Sequence, residues 1–69
     1  MFIWLTGTNT GDKLLINTDK IEMIEPVKEE RSKEEYDTGA RSRILYSEPS
    51  TGLVNETPIE ILEKIMEAK

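Results

Sequence analysis

Cysteine and histidine are both missing from this chain. Without cysteine there is no disulfide and no thiolate metal site. Without histidine the commonest metal ligand and the usual general base are gone. Nucleophilic schemes built on a Ser–His or Cys–His pair therefore have no parts to work with. Long hydrophobic runs are missing too. The longest, "MFIWL" at residues 1–5, is far short of the roughly 20 apolar residues that span a bilayer. It has no basic region before it and no small-residue cleavage site after it, so it is not read as a signal peptide. The cytoplasm is the expected compartment. Positive charge is in the minority: nine Lys and Arg against fourteen Asp and Glu, for a net charge of −5. Such a surface repels a phosphate backbone, which ranks nucleic acid low among partners.

What is present points to a small single domain, residues 1–69. The hydrophobic share is 36%, gathered in compact runs. A core of this size rarely supplies more than about 3–5 kcal/mol, and small folds lean on disulfides, metals or association for the rest. Association is the prop this composition leaves, so a homo-oligomer or a docked subunit is expected.

The runs read as strands and one helix. "MFIWLT" (1–6) is an apolar strand, and "DKLLIN" (12–17) is its returning partner. A bulge or tight turn near 18–21 leads into a strand over about 22–29, where Pro26 points to an edge or a bulge. "KEERSKEEYDTGA" (28–40) has nothing to bury and reads as a solvated hairpin excursion, with a short charged helix as the lesser option. "RSRILYS" (41–47) and "LVNE" (53–56) follow as strands. The clearest signal comes last, in "ETPIEILEKIMEAK". Thr57 is a good N-cap and Pro58 suits the first helical position. Glu60 completes a capping box. Ile59, Leu62, Ile65 and Met66 form an apolar stripe that Ile61 widens, and Glu60 and Lys64 are an i,i+4 pair. A helix over 58–68 is predicted.

The stretch "GTNTGDK" (7–13) invites comparison with a phosphate-binding loop. That loop needs four residues between its glycines, then Lys and Ser or Thr, and a helix directly after. Here three residues separate Gly7 from Gly11, Asp12 precedes Lys13, Leu14 takes the hydroxyl position, and a strand follows. A hairpin turn is expected. "TNTGD" offers a calcium ion only Asn9 and Asp12, with no later bidentate glutamate. The carboxylate pairs Glu22 and Glu25, Glu29 and Glu30, and Glu34 and Glu35 lie in polar stretches with nothing to push their pKa values apart. No catalytic residue, cofactor or metal site is predicted, and the chain is read as non-enzymatic.

Two binding surfaces are left. Arg41 and Arg43 share a strand face near two tyrosines, and with Lys33 they could grip a nucleic-acid strand. The same arginines could instead pair with Glu25 or Glu29 across the sheet. Trp4 is a natural core residue or interface anchor. Phe2, Trp4 and Leu15 are the candidate partner interface, since one helix leaves a sheet with a second face to cover.

The order "Ile3-x-Leu5-Thr6", glycine turn, "Ile16-Asn17-x-Asp19-x-Ile21-x-x-Ile24-Glu25", hairpin and "Val54-x-Glu56-Thr57" leading into a helix with Ile61 and Ile65 resembles the FlbD-like family. These are small flagellar and swarming motility proteins. The resemblance implies a short cytoplasmic bacterial protein with no known enzymatic activity. The fold expected from the residues is α+β: an antiparallel meander of four or five short strands with the C-terminal helix on one face. The function expected is a protein-interaction or scaffold module that binds itself or another protein. A nucleic-acid-associated regulator using Lys33, Arg41 and Arg43 is the alternative.

Overall fold

The computed structural model describes residues 1–69 and is α+β. The elements run β1 (Phe2–Thr6), β2 (Lys13–Asn17), a 3-10 turn (Thr18–Lys20), β3 (Ile21–Pro26), α1 (Lys33–Asp37), β4 (Ser42–Tyr46), β5 (Thr51–Val54) and α2 (Pro58–Ala68). All strand pairs are antiparallel. They form a two-stranded ribbon, β1–β2, and a three-stranded sheet in the order β3–β4–β5. The continuous meander expected from the sequence is thus broken between β2 and β3, where the 3-10 turn swings the chain away. The two sheets meet instead at the far end of β1. Gly7 bridges Val54, the Asn55 amide donates to the Thr6 carbonyl at 3.0 Å, and the Thr8 amide donates to that of Leu53 at 3.2 Å.

The turn "GTNTGD" closes the first hairpin as its composition required. The Gly7 amide donates to the Asp12 carbonyl at 2.8 Å. Gly11 takes φ +73°, in the left-handed region that costs a side-chain-bearing residue about 1–2 kcal/mol. Asn17 caps the 3-10 turn by accepting from the Asp19 amide at 3.1 Å. A bulge follows between Ile21 and Met23, which accounts for the three-residue spacing of Ile21 and Ile24.

Residues 28–40 connect the antiparallel pair β3–β4 and carry the short charged helix that was the lesser option above. Lys33–Asp37 form one turn and a half of helix, anchored by its side chains rather than by an apolar face. The Arg41 guanidinium lies 3.7 Å over the Tyr36 ring, and Arg43 bonds to Glu35. Buried Val27 and Ala40 close the base of the excursion.

Alternation along the strands selects the core. Ile3 and Leu5 of β1, Ile44 of β4 and Val54 of β5 point inward and meet Ile61 of α2. Ile16, Ile21, Ile24, Tyr46 and Ile65 pack around them. The helix begins as its cap dictates. Thr57 Oγ1 accepts from the Glu60 amide at 3.2 Å, and Glu60 Oε1 accepts from the Thr57 amide at 2.9 Å. The face it buries is only one edge of the stripe read from the sequence. Ile61 and Ile65 face the core, whereas Ile59, Leu62 and Met66 are exposed. The Glu60 carboxylate is committed to the cap, so it forms no ion pair with Lys64.

Candidate protein-interaction site

Register decides which side chains of the first hairpin share a face. Phe2 pairs with Asn17, Trp4 with Leu15 and Thr6 with Lys13. These six therefore point away from the core while Ile3, Leu5, Leu14 and Ile16 point toward it. Phe2, Trp4 and Leu15 are exposed by 58%, 56% and 53%. Trp4 and Leu15 are directly opposed, and Phe2 continues the row two residues along the strand. The structure thus brings together the three residues expected to form an interface, and it places Trp4 outside the chain's own core. Lys13 is the one charged side chain of the six, and its Nζ donates to Thr6 Oγ1 at 3.0 Å. At the same end, the Glu56 carboxylate accepts from the Thr6 amide at 2.9 Å and from Thr6 Oγ1 at 2.8 Å.

A second apolar row lies on α2. Ile59, Leu62 and Met66 are exposed by 71%, 54% and 64%. Their 3–4 spacing lines them up along one side of the helix. Glu60, Glu63 and Glu67, all exposed, form a parallel row one residue further round. Sequence reasoning missed this second surface because it assigned the whole stripe to the core. The signal was there in its width: five apolar positions in an eleven-residue helix exceed what a small sheet can cover.

The basic residues are placed differently. Arg43 bonds to Glu25 at 3.3 Å and to Glu35, satisfying the cross-strand pairing expected with Glu25. Arg41 Nη1 donates to the carbonyls of Tyr36 at 2.9 Å and Ala40 at 2.8 Å. Lys33 is solvated and pairs with Asp37 at 3.0 Å. The two guanidiniums are thus occupied by the anchoring of α1, and the three basic residues form no open cationic surface.

A shallow groove of roughly 280 Å³ runs beside the β2 edge, lined by Leu15, Asn17, Lys20, Tyr46 and Glu48 among others. This is about the lower limit for a small-molecule pocket. Partial burial pushes the Tyr46 hydroxyl up from its ordinary pKa. The Glu60 carboxyl is held below its ordinary range, chiefly by the hydrogen bond from the Thr57 backbone and also by the Thr57 side chain. No three Asp or Glu side chains converge as metal ligands would. No helix is long and apolar enough to cross a membrane.

No family model, curated protein or solved structure matches the chain. Its own geometry is therefore what bears on function, and the two uncovered apolar rows are the features that stand out. Monomeric proteins expose single apolar residues freely, but rows of aromatic and aliphatic side chains on one face mark contact surfaces.

Proposed function

We propose that this chain is a non-enzymatic protein-interaction module of the cytoplasm that associates with copies of itself through the outer face of its first hairpin. The observation that carries the reading is the exposed row Phe2, Trp4 and Leu15. An aromatic pair beside a leucine on a rigid strand ribbon has the composition of an interface centre. A total of only nine buried residues adds to the case, because small folds gain much of their stability from association. Support for a non-enzymatic role is compositional: the chain has no histidine, the most common general base, to activate its serines, and no cysteine nucleophile. The resemblance to FlbD-like motility proteins agrees with a module of this kind.

The nucleic-acid alternative draws less support, because Arg41 and Arg43 are engaged within the chain. Light scattering behind a sizing column, at two concentrations, tests the main reading. The expected result is a mass above one chain that falls on dilution. Trp4→Ala then weakens association while leaving the circular dichroism spectrum and unfolding transition of the dilute chain in place. Unchanged association in Trp4→Ala would move the interface to another surface.

A further inference from the structure

We infer that association is head-to-tail: the exposed row of α2 in one copy packs on the outer hairpin face of the next. This rests on the self-association proposed above and names the two surfaces that meet.

The first reason is architectural. Within one chain, Ile61 and Ile65 of α2 already cover the inner face of the β1–β2 ribbon at Ile3 and Leu5. The outer face of that ribbon carries Phe2, Trp4 and Leu15. The outer side of the helix carries Ile59, Leu62 and Met66. A helix row on a strand face is the standard way for both to bury apolar surface. The contact between copies repeats the contact within each copy, so every ribbon ends up between two helices.

The second reason is area. Half-exposed aromatic and large aliphatic side chains offer on the order of 100 Å² each, so the ribbon row and the helix row offer roughly 300 Å² apiece. One such contact removes roughly 600 Å² of apolar surface. With the polar rim that normally accompanies it, the total is about 1,000 Å², the size a specific interface has to clear. A contact of ribbon on ribbon buries as much but leaves the helix row in water. The head-to-tail contact, carried round a ring or along a filament, covers both rows of each interior chain.

The third reason is charge. Glu60, Glu63 and Glu67 run alongside the helix row. In a two-fold antiparallel pairing of two such helices, the acidic rows fall on the same side of the contact and repel. The ribbon face carries no carboxylate among its six outward positions, and its one charge is Lys13. The Glu56 carboxylate hydrogen-bonded to Thr6 keeps its negative charge beside that lysine, so this end of the face is close to neutral. A helix edged with three glutamates thus meets a face that has a lysine and no acidic row of its own.

Heterologous contacts of this kind close into rings or run on as filaments. Two variants separate this from a two-fold dimer. Trp4→Glu spoils the ribbon face and Leu62→Glu spoils the helix row; both sites are exposed, and each variant is checked for a native circular dichroism spectrum. Light scattering is expected to give a single-chain mass for each variant alone. Their equimolar mixture is expected to give a two-chain species and nothing larger, because one intact ribbon face meets one intact helix row. A Leu62→Glu chain that still dimerises alone overturns the inference while leaving self-association standing. So does a mixture that stays monomeric while the unmodified chain associates. An unmodified chain that is monomeric at every concentration overturns self-association itself and leaves both rows to another protein.

A charge exchange provides the second check without touching the apolar rows. Lys13→Glu is expected to weaken association by several-fold, and combining it with Glu63→Lys is expected to restore it. Failure of Lys13→Glu to weaken association removes the charge complementarity on which the inference stands.

Discussion

At the scale of single residues, the helix separates two isoleucines that look alike in the sequence. Ile61 is fully buried and Ile59 is the most exposed large hydrophobe of the chain. Ile61→Ala is expected to cost about 2–5 kcal/mol in urea unfolding of the dilute chain, through lost transfer energy and an unfilled cavity. Ile59→Ala in the same experiment is expected to stay within about 0.5 kcal/mol. Glu60 gives a second residue-scale test. Its pKa is lowered in the fold by the Thr57 bonds, so the unfolded chain binds the proton more readily. The stabilisation is then present above the ordinary glutamate pKa and is lost as pH falls through the depressed value. Glu60→Gln should therefore flatten the acid limb of the stability curve, as followed by thermal unfolding between neutral and acid pH. Tyr46 has the opposite sign. Its pKa is raised, so its contribution is intact below the unfolded tyrosine pKa and fades as pH rises through the folded value. Its phenolate should form at higher pH in the native chain than in urea, as read by ultraviolet absorbance.

At the scale of elements, much was legible and the misses have physical causes. The first hairpin could be read because its glycines and asparagine flank two apolar runs. The start of α2 could be read because Thr57, Pro58 and Glu60 each satisfy a different demand of a helix N-terminus. The rotation of α2 could not, because Ile61 with Ile65 and Ile59 with Leu62 and Met66 make two plausible faces. Only the partner sheet chooses between them. The α1 turn ranked only as the lesser option because it has no apolar face. What holds it is contact with the start of β4 and the residue before it: Tyr36 under Arg41, and Glu35 with Arg43. Its exit relies on Gly39 at φ +103°, where no side chain is easily placed. Gly39→Ala is expected to cost about 1–2 kcal/mol from backbone strain, since the added methyl meets only Asn55 at ordinary contact distance. The candidate interface was legible in part. Phe2, Trp4 and Leu15 followed from there being more apolar strand surface than one helix can cover, but the helix row was hidden within its overlong stripe.

At the scale of the whole molecule, the two sheets are joined along a narrow seam. It consists of the Gly7–Val54 bridge, the flanking backbone bonds and Glu56. The Glu56 side chain accepts from Thr6, and its carbonyl accepts from buried Ser42 at 2.6 Å. Glu56→Ala leaves the Thr6 amide without this acceptor. It is expected to lower stability by about 1–3 kcal/mol and to speed amide hydrogen exchange in β1 and β2 more than in β4. The seam also has a consequence for biosynthesis. It joins positions 50 residues apart in the chain, and chains emerge from the ribosome in order. The strand "FIWLT" is therefore in solution long before the segment that docks against it exists. Until residues 54–61 appear, its inward face lacks Val54 and Ile61, two of the five residues of the core cluster. The period of greatest risk for this protein is thus during its own translation, when neighbouring nascent chains on one message present the same uncovered strand.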